Sequence, residues 1–149
     1  MKKLYETMNK QLASLIEDEN HFIPNLANAS ALLYQSLENL NWAGFYLMDH
    51  GQLMLGPFQG KTACIRIALG KGVCGTAAAE DRTVLVKDVH QFEGHIACDC
   101  ASNSEIVVPV HKDGKVFGVL DIDSPLVGRF DEEDAEGLEA FVRILEARI

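Results

Sequence analysis

Apolar residues recur at Leu4, Met8, Leu12, Leu15 and Ile16, spacings that share one face of a helix over residues 3–19. A second stripe, Leu26, Ser30, Leu33, Leu37 and Leu40, follows Pro24, whose fixed φ suits a first helical turn. It predicts a second helix to about residue 39. The period then shortens to two. Residues 42–48 are rich in aromatics, and Asp49-His50-Gly51 reads as a turn into an antiparallel return over 52–58. Residues 64–68 alternate as a third strand, and Gly70-Lys71-Gly72 stops them. An alanine-rich stretch, 73–80, predicts a short helix, and residues 84–86 a short strand.

Residues 87–104 show little periodicity, and long loops inside compact domains are often functional. Residues 106–111 and 115–123 form the clearest hairpin, turning at Lys112-Asp113-Gly114. Asp131 then reads as an N-cap, with Glu132, Glu133 and Asp134 in the first turn, where the helix dipole favours acids. Leu138, Phe141, Val142, Leu145 and Ile149 form the buried face of that last helix. The order predicts an α+β domain filling residues 1–149. Its core is a mainly antiparallel sheet of five or six strands, with terminal helices on one face and loops over the other.

Composition narrows the partners. The net charge of −9 excludes nucleic acid as the main partner, because phosphate binding needs clustered Lys and Arg. No apolar run reaches the roughly 20 residues that span a bilayer. The opening Met1-Lys2-Lys3-Leu4-Tyr5-Glu6 lacks the apolar core of a signal peptide, so a soluble, cytoplasmic protein is expected. In that compartment Cys64, Cys74, Cys98 and Cys100 are reduced at rest.

Each cysteine has its own setting. Cys74 opens the predicted short helix, where a thiolate would be favoured, but it equally suits the packing of a helix start. Cys98 lies in the long loop, three residues after His95, which could exchange a proton with it. Cys64, in a predicted strand, reads as structural. Cys98-Asp99-Cys100, even with His90 or His95, departs from zinc-knuckle spacing and has no matching second pair, so no metal is expected.

Asp121 and Asp123 alternate with Leu120 and Ile122 and so point to one face of their strand. They read either as a solvated strand end or, joined by Glu105 just before the adjacent strand, as an acidic pocket. Such a pocket would suit an ammonium group, and one acid of raised pKa could donate a proton. Trp42 and Tyr46, four apart, share a strand face and either pack in the core or wall a site for a small apolar group.

Three segments in this order, Gly70-Lys71-Gly72-Val73-Cys74-Gly75-Thr76, Gly94-His95-Ile96-Ala97-Cys98-Asp99 and Ser104-Glu105-Ile106-Val107-Val108-Pro109, resemble the free methionine-(R)-sulfoxide reductases, which are stand-alone GAF-type domains. The resemblance implies a GAF-like fold and thiol chemistry without a cofactor. It implies Cys98 as nucleophile, Cys74 as main resolving cysteine and Cys64 as an auxiliary one, against the structural reading of Cys64. Glu105, Asp121 and Asp123 match the substrate-pocket acids, and Trp42 and Tyr46 the aromatic wall. Cys100 lies outside the pattern. The resemblance also implies a homodimer.

On that footing, Cys98 attacks the sulfur of free methionine-(R)-sulfoxide and becomes a sulfenic acid. A Cys74–Cys98 disulfide follows, and thioredoxin reduces it. The acids would hold the free amino group, and backbone N–H groups from Ile96 and Ala97 to Cys98 the carboxylate. Two alternatives perform no turnover: a GAF module that senses a small molecule, and a thiol-based oxidant sensor.

Overall fold

The computed structural model describes residues 2–94 and 101–149. The expectations for His95, Ile96, Ala97, Cys98, Asp99 and Cys100 therefore lie outside the described residues. In chain order the elements are α1 (Lys2–Leu15), α2 (Phe22–Ser36), β1 (Trp42–Asp49), β2 (Gln52–Gly60), β3 (Arg66–Ala68), α3 (Gly72–Glu80), β4 (Val84–Val86), β5 (Ser104–Lys112), β6 (Lys115–Ser124) and α4 (Glu132–Glu146). A 3₁₀ turn, Val89–Gln91, interrupts the predicted long loop. Among the described residues no helix is long and apolar enough to cross a membrane.

The six strands form one sheet in the order β3-β2-β1-β6-β5-β4. Every pairing is antiparallel. Both faces of the central strands are covered, so they are apolar almost throughout, and alternation sorts their side chains into two layers. Ala43 and Phe45 of β1, Ile106, Val108 and Val110 of β5, and Leu120 and Ile122 of β6 face α1, α2 and α4 in the main core. Trp42, Tyr46, Val107 and Val119 face the other way and pack under α3 with Val73, Cys74 and Ala77.

The helix layer is closed by local chemistry. Asp131 caps α4 and Asp134 bonds back to the Asp131 N–H, a reciprocal capping box. The other carboxylate oxygen of Asp134 accepts from the Tyr5 hydroxyl at 2.6 Å, tying α1 to α4. At Gly137 a Cβ would collide with the Tyr5 ring, so glycine permits that approach.

The sheet and terminal helices match the expectation, with shifted boundaries. α1 ends at Leu15, and α2 ends where Leu37 turns extended. Two shifts bear on function. β3 begins at Arg66, which leaves Cys64 in the preceding loop and not in a strand. β5 begins at Ser104, which draws Glu105 into the sheet.

Candidate active site

Strand register assembles the acids. Asp123 of β6 lies opposite Trp42 of β1 on one side and Glu105 of β5 on the other. Asp121, two residues earlier, lies between Gly44 and Val107. Directly opposed side chains in adjacent strands approach within about 5 Å. The sheet therefore brings three carboxyl groups together on the α3 face, and Cys74 descends on them from α3. Its Sγ lies 3.9 Å from Glu105 Oε2. One ligand atom each from Cys74, Glu105 and Asp121 falls within 4.8 Å of the others, near enough to share a small cation.

This cluster is buried, with Glu105 7% and Asp121 5% exposed. Burial raises the Glu105 pKa well above its ordinary value, and the charges of Asp121 and Asp123 raise it further. Burial and Asp121 likewise raise Asp123. Burial and mutual repulsion thus favour the protonated form of Glu105 and of Asp123. Cys74 is a free thiol among the described residues. Burial first, then Asp121 and Glu105, pushes its pKa well up. Of the two roles left open for this helix start, the thiolate is disfavoured: desolvation and neighbouring acids oppose the helix N-terminus.

Ser102 accepts from Asn41 Nδ2 at 3.0 Å and donates to Asp123 Oδ2 at 3.1 Å. Among the described residues nothing donates to the other, buried oxygen of Asp123, Oδ1. Ser102 thus ties the segment that leads into β5 to the acids.

The aromatic wall is a stack of three rings. Trp42 stacks on Phe58 at 5.1 Å and on Tyr46 at 5.8 Å between centroids. A Cβ at Gly44 would strike the Cα and Cβ of Phe58, so the glycine permits the close approach of β1 and β2 there. The wall also carries hydrogen bonds. Trp42 Nε1 donates to the Lys61 carbonyl at 3.1 Å, and the Tyr46 hydroxyl donates to the Cys64 carbonyl at 2.9 Å. These two bonds fasten the β2–β3 loop along the site and hold Cys64 next to it. Cys64 is disulfide-bonded.

The structure therefore gathers Trp42, Tyr46, Cys74, Glu105, Asp121 and Asp123 and brings the Cys64 loop to their edge. Phe58, Asn41 and Ser102 complete the site and were not singled out from sequence. Phe58 follows a proline in β2, where periodicity does not reveal its stacking on Trp42. Nothing local in the sequence marks Asn41 or Ser102.

Comparison with known proteins shows the family. A GAF domain family model matches residues 26–148. The free methionine-R-sulfoxide reductase of Escherichia coli is 53% identical over 97% of this chain and 87% of its own length. The structure of reduced fRMsr of Staphylococcus aureus superposes with a TM-score of 0.95 at 60% identity, covering 97% of this chain and 94% of that one. The free methionine-R-sulfoxide reductase of Neisseria meningitidis, in complex with its substrate, gives a TM-score of 0.95 at 46% identity, covering 99% and 89%. This chain belongs to the GAF-domain family and, within it, to the free methionine-R-sulfoxide reductases.

Proposed function

We propose that this protein reduces free methionine-(R)-sulfoxide to methionine with its own thiols, and that a dithiol protein, thioredoxin, restores them. The observation that carries the reading is the buried row Trp42–Asp123–Glu105, whose acids are shifted toward their protonated forms, beside an aromatic stack and two cysteines. Sulfoxide oxygen is a poor leaving group until it is protonated, and a neutral buried carboxyl supplies that proton.

In this mechanism the Cys98 thiolate attacks the sulfoxide sulfur while Glu105 protonates the oxygen. The oxygen passes to Cys98 as a sulfenic acid and methionine leaves. A second thiol attacks the Cys98 sulfur and expels water, forming a disulfide. Two thiols thus lose two electrons for each methionine formed. Thioredoxin then reduces the disulfide by exchange.

We assign the second thiol to Cys64 in place of Cys74, which the resemblance favoured. Support comes from the disulfide state of Cys64 and from its tether to Tyr46. Cys74, buried and held protonated, is the poorer attacking sulfur. Its place is in the acid cluster, where it packs against Glu105.

Asp121 and Asp123 hold the ammonium group in this reading, with Asp123 Oδ1 as an open acceptor. Backbone N–H groups of Ile96 and Ala97 take the carboxylate. Trp42, Tyr46 and Phe58 receive the methyl group and so separate the epimers. The test is a thioredoxin-coupled assay with the free (R) and (S) sulfoxides and an N-acetylated (R) sulfoxide. Turnover of the free (R) epimer alone is expected. Equal rates on all three, or none on any, would overturn the proposal.

A further inference from the structure

The protein is acidic overall, with 22 Asp and Glu against 13 Lys and Arg. Yet from Gly51 to Ala79 there is no Asp or Glu, while Lys61, Arg66 and Lys71 all fall within that stretch. The three cations flank Cys64, and all three are exposed. Arg66 forms an exposed pair with Asp49 at 3.1 Å, while among the described residues neither lysine is in an ion pair.

Apolar side chains are exposed in the same segment. Ile65, adjacent to Cys64, is 66% exposed and Leu69 is 40% exposed. They sit at the ends of β3, which pairs with β2 on one side and forms an outer edge of the sheet. An outer strand offers unpaired backbone groups to another chain. The backbone here is well anchored. The Leu55 N–H donates to the Ile65 carbonyl at 2.8 Å, the Lys71 N–H to the Ala68 carbonyl at 3.1 Å and the Gly70 N–H to the Gly75 carbonyl at 2.8 Å.

We propose that residues 61–71, with Ile65 and Leu69 as apolar contacts and Lys61 and Lys71 as a basic margin, form the docking surface for a protein dithiol reductant with an apolar contact ridge and an acidic rim. The proposal rests on the thiol-reductase reading above. It commits to this occupant because Cys64, which lies in the segment, is disulfide-bonded. A reductant must place a thiolate in line with that bond, so it must cover the side chains around it. Its thiolate attacks the Cys64 sulfur and expels the bonded partner as a thiolate. The reductant's second thiol then displaces Cys64. Two electrons and two protons reach the protein, and the reductant leaves as an internal disulfide.

The test compares thioredoxin with dithiothreitol, which needs no docking surface, during turnover of free methionine-(R)-sulfoxide. Ile65→Ser combined with Leu69→Ser is expected to raise the KM for thioredoxin about tenfold, the effect of losing one good apolar contact. Lys71→Glu is expected to raise it about threefold and to flatten its dependence on salt. Turnover with dithiothreitol should stay at the level of the unaltered protein in both variants. An unchanged KM for thioredoxin would overturn the docking surface alone. A fall in the dithiothreitol rate of the variants would assign these side chains to the fold or the chemistry, and also overturn it. If the unaltered protein lacks dithiothreitol-driven turnover, the reductase reading fails and the docking surface fails with it.

Discussion

The two faces of the sheet bury polar groups in opposite ways. On the helix side Asp134, Ser30 and Asn25, all buried, have partners that offset their desolvation. Tyr5 meets Asp134, Ser30 donates to the Leu26 carbonyl, and Asn25 donates to the Glu19 and Arg148 carbonyls. On the α3 side Glu105, Asp121 and Asp123 are packed against one another and a thiol. Repulsion between these groups favours their protonated forms, at a cost to stability. The same strands thus supply a layer that stabilises the fold and a layer that crowds acids together.

That contrast can be broken most severely at the chemistry itself. Cys98→Ser is expected to lower steady-state turnover by at least about a thousandfold, measured with thioredoxin and the free (R) sulfoxide. Next comes a crossed pair of substitutions. Phe45→Ala, in the helix layer, should destabilise the protein by about 3–5 kcal/mol in urea unfolding, as a large cavity does. Asp123→Asn should instead stabilise it, by about 1 kcal/mol, because one repelling charge is removed. The same change should lower kcat/KM about a hundredfold through weaker ammonium binding and a poorer proton supply.

The raised pKa values of these acids also predict how stability depends on pH. An unfolded Glu105 ionises around 4.5, and the folded group does so well above that value. Below 4.5 both states hold the proton and its stabilisation is complete. As pH rises the unfolded chain releases its proton first, so stability falls until the folded group ionises too. Asp123 acts in the same direction. So does His111, whose pKa, lowered by burial, is raised on balance by hydrogen bonds to Asp81 and Glu146. The comparison of interest is therefore Glu105→Gln against the unaltered protein. The variant should gain in relative stability between pH 5 and pH 8, and a constant difference would contradict the assignment.

The smallest expected effect belongs to the tether. Tyr46→Phe removes one hydrogen bond to the Cys64 carbonyl, worth about 1 kcal/mol. It should slow disulfide formation about fivefold in a rapid-quench thiol assay and leave the first methionine released at an unchanged rate.

Alternation made much of this site legible in advance. Period two in β6 placed Asp121 and Asp123 on one face, and the same rule set Trp42 with Tyr46. The capping pattern at Asp131 located α4 correctly. Strand order lies beyond local periodicity, because β1 meets β6 through contacts far apart in the chain. That pairing alone puts Trp42 beside Asp123. Cys64 looked like a strand residue because its neighbours alternate, but a side-chain hydroxyl and not a ladder holds its carbonyl. The helix position of Cys74 left thiolate and packing roles equally open, because desolvation, which raises its pKa, depends on tertiary packing. Ser102 and Asn41 gave no signal, since their role is a pair of hydrogen bonds to partners distant in sequence.

The central claim is that this acid-lined site delivers a proton and two thiols to a single oxidised amino acid. The direct measurement mixes fully reduced protein with excess free methionine-(R)-sulfoxide, without any reductant, then counts methionine and maps disulfides by mass. The account predicts one methionine per chain and a Cys64–Cys98 disulfide. Release of no methionine, or one equivalent released with Cys64 still a free thiol, would contradict it.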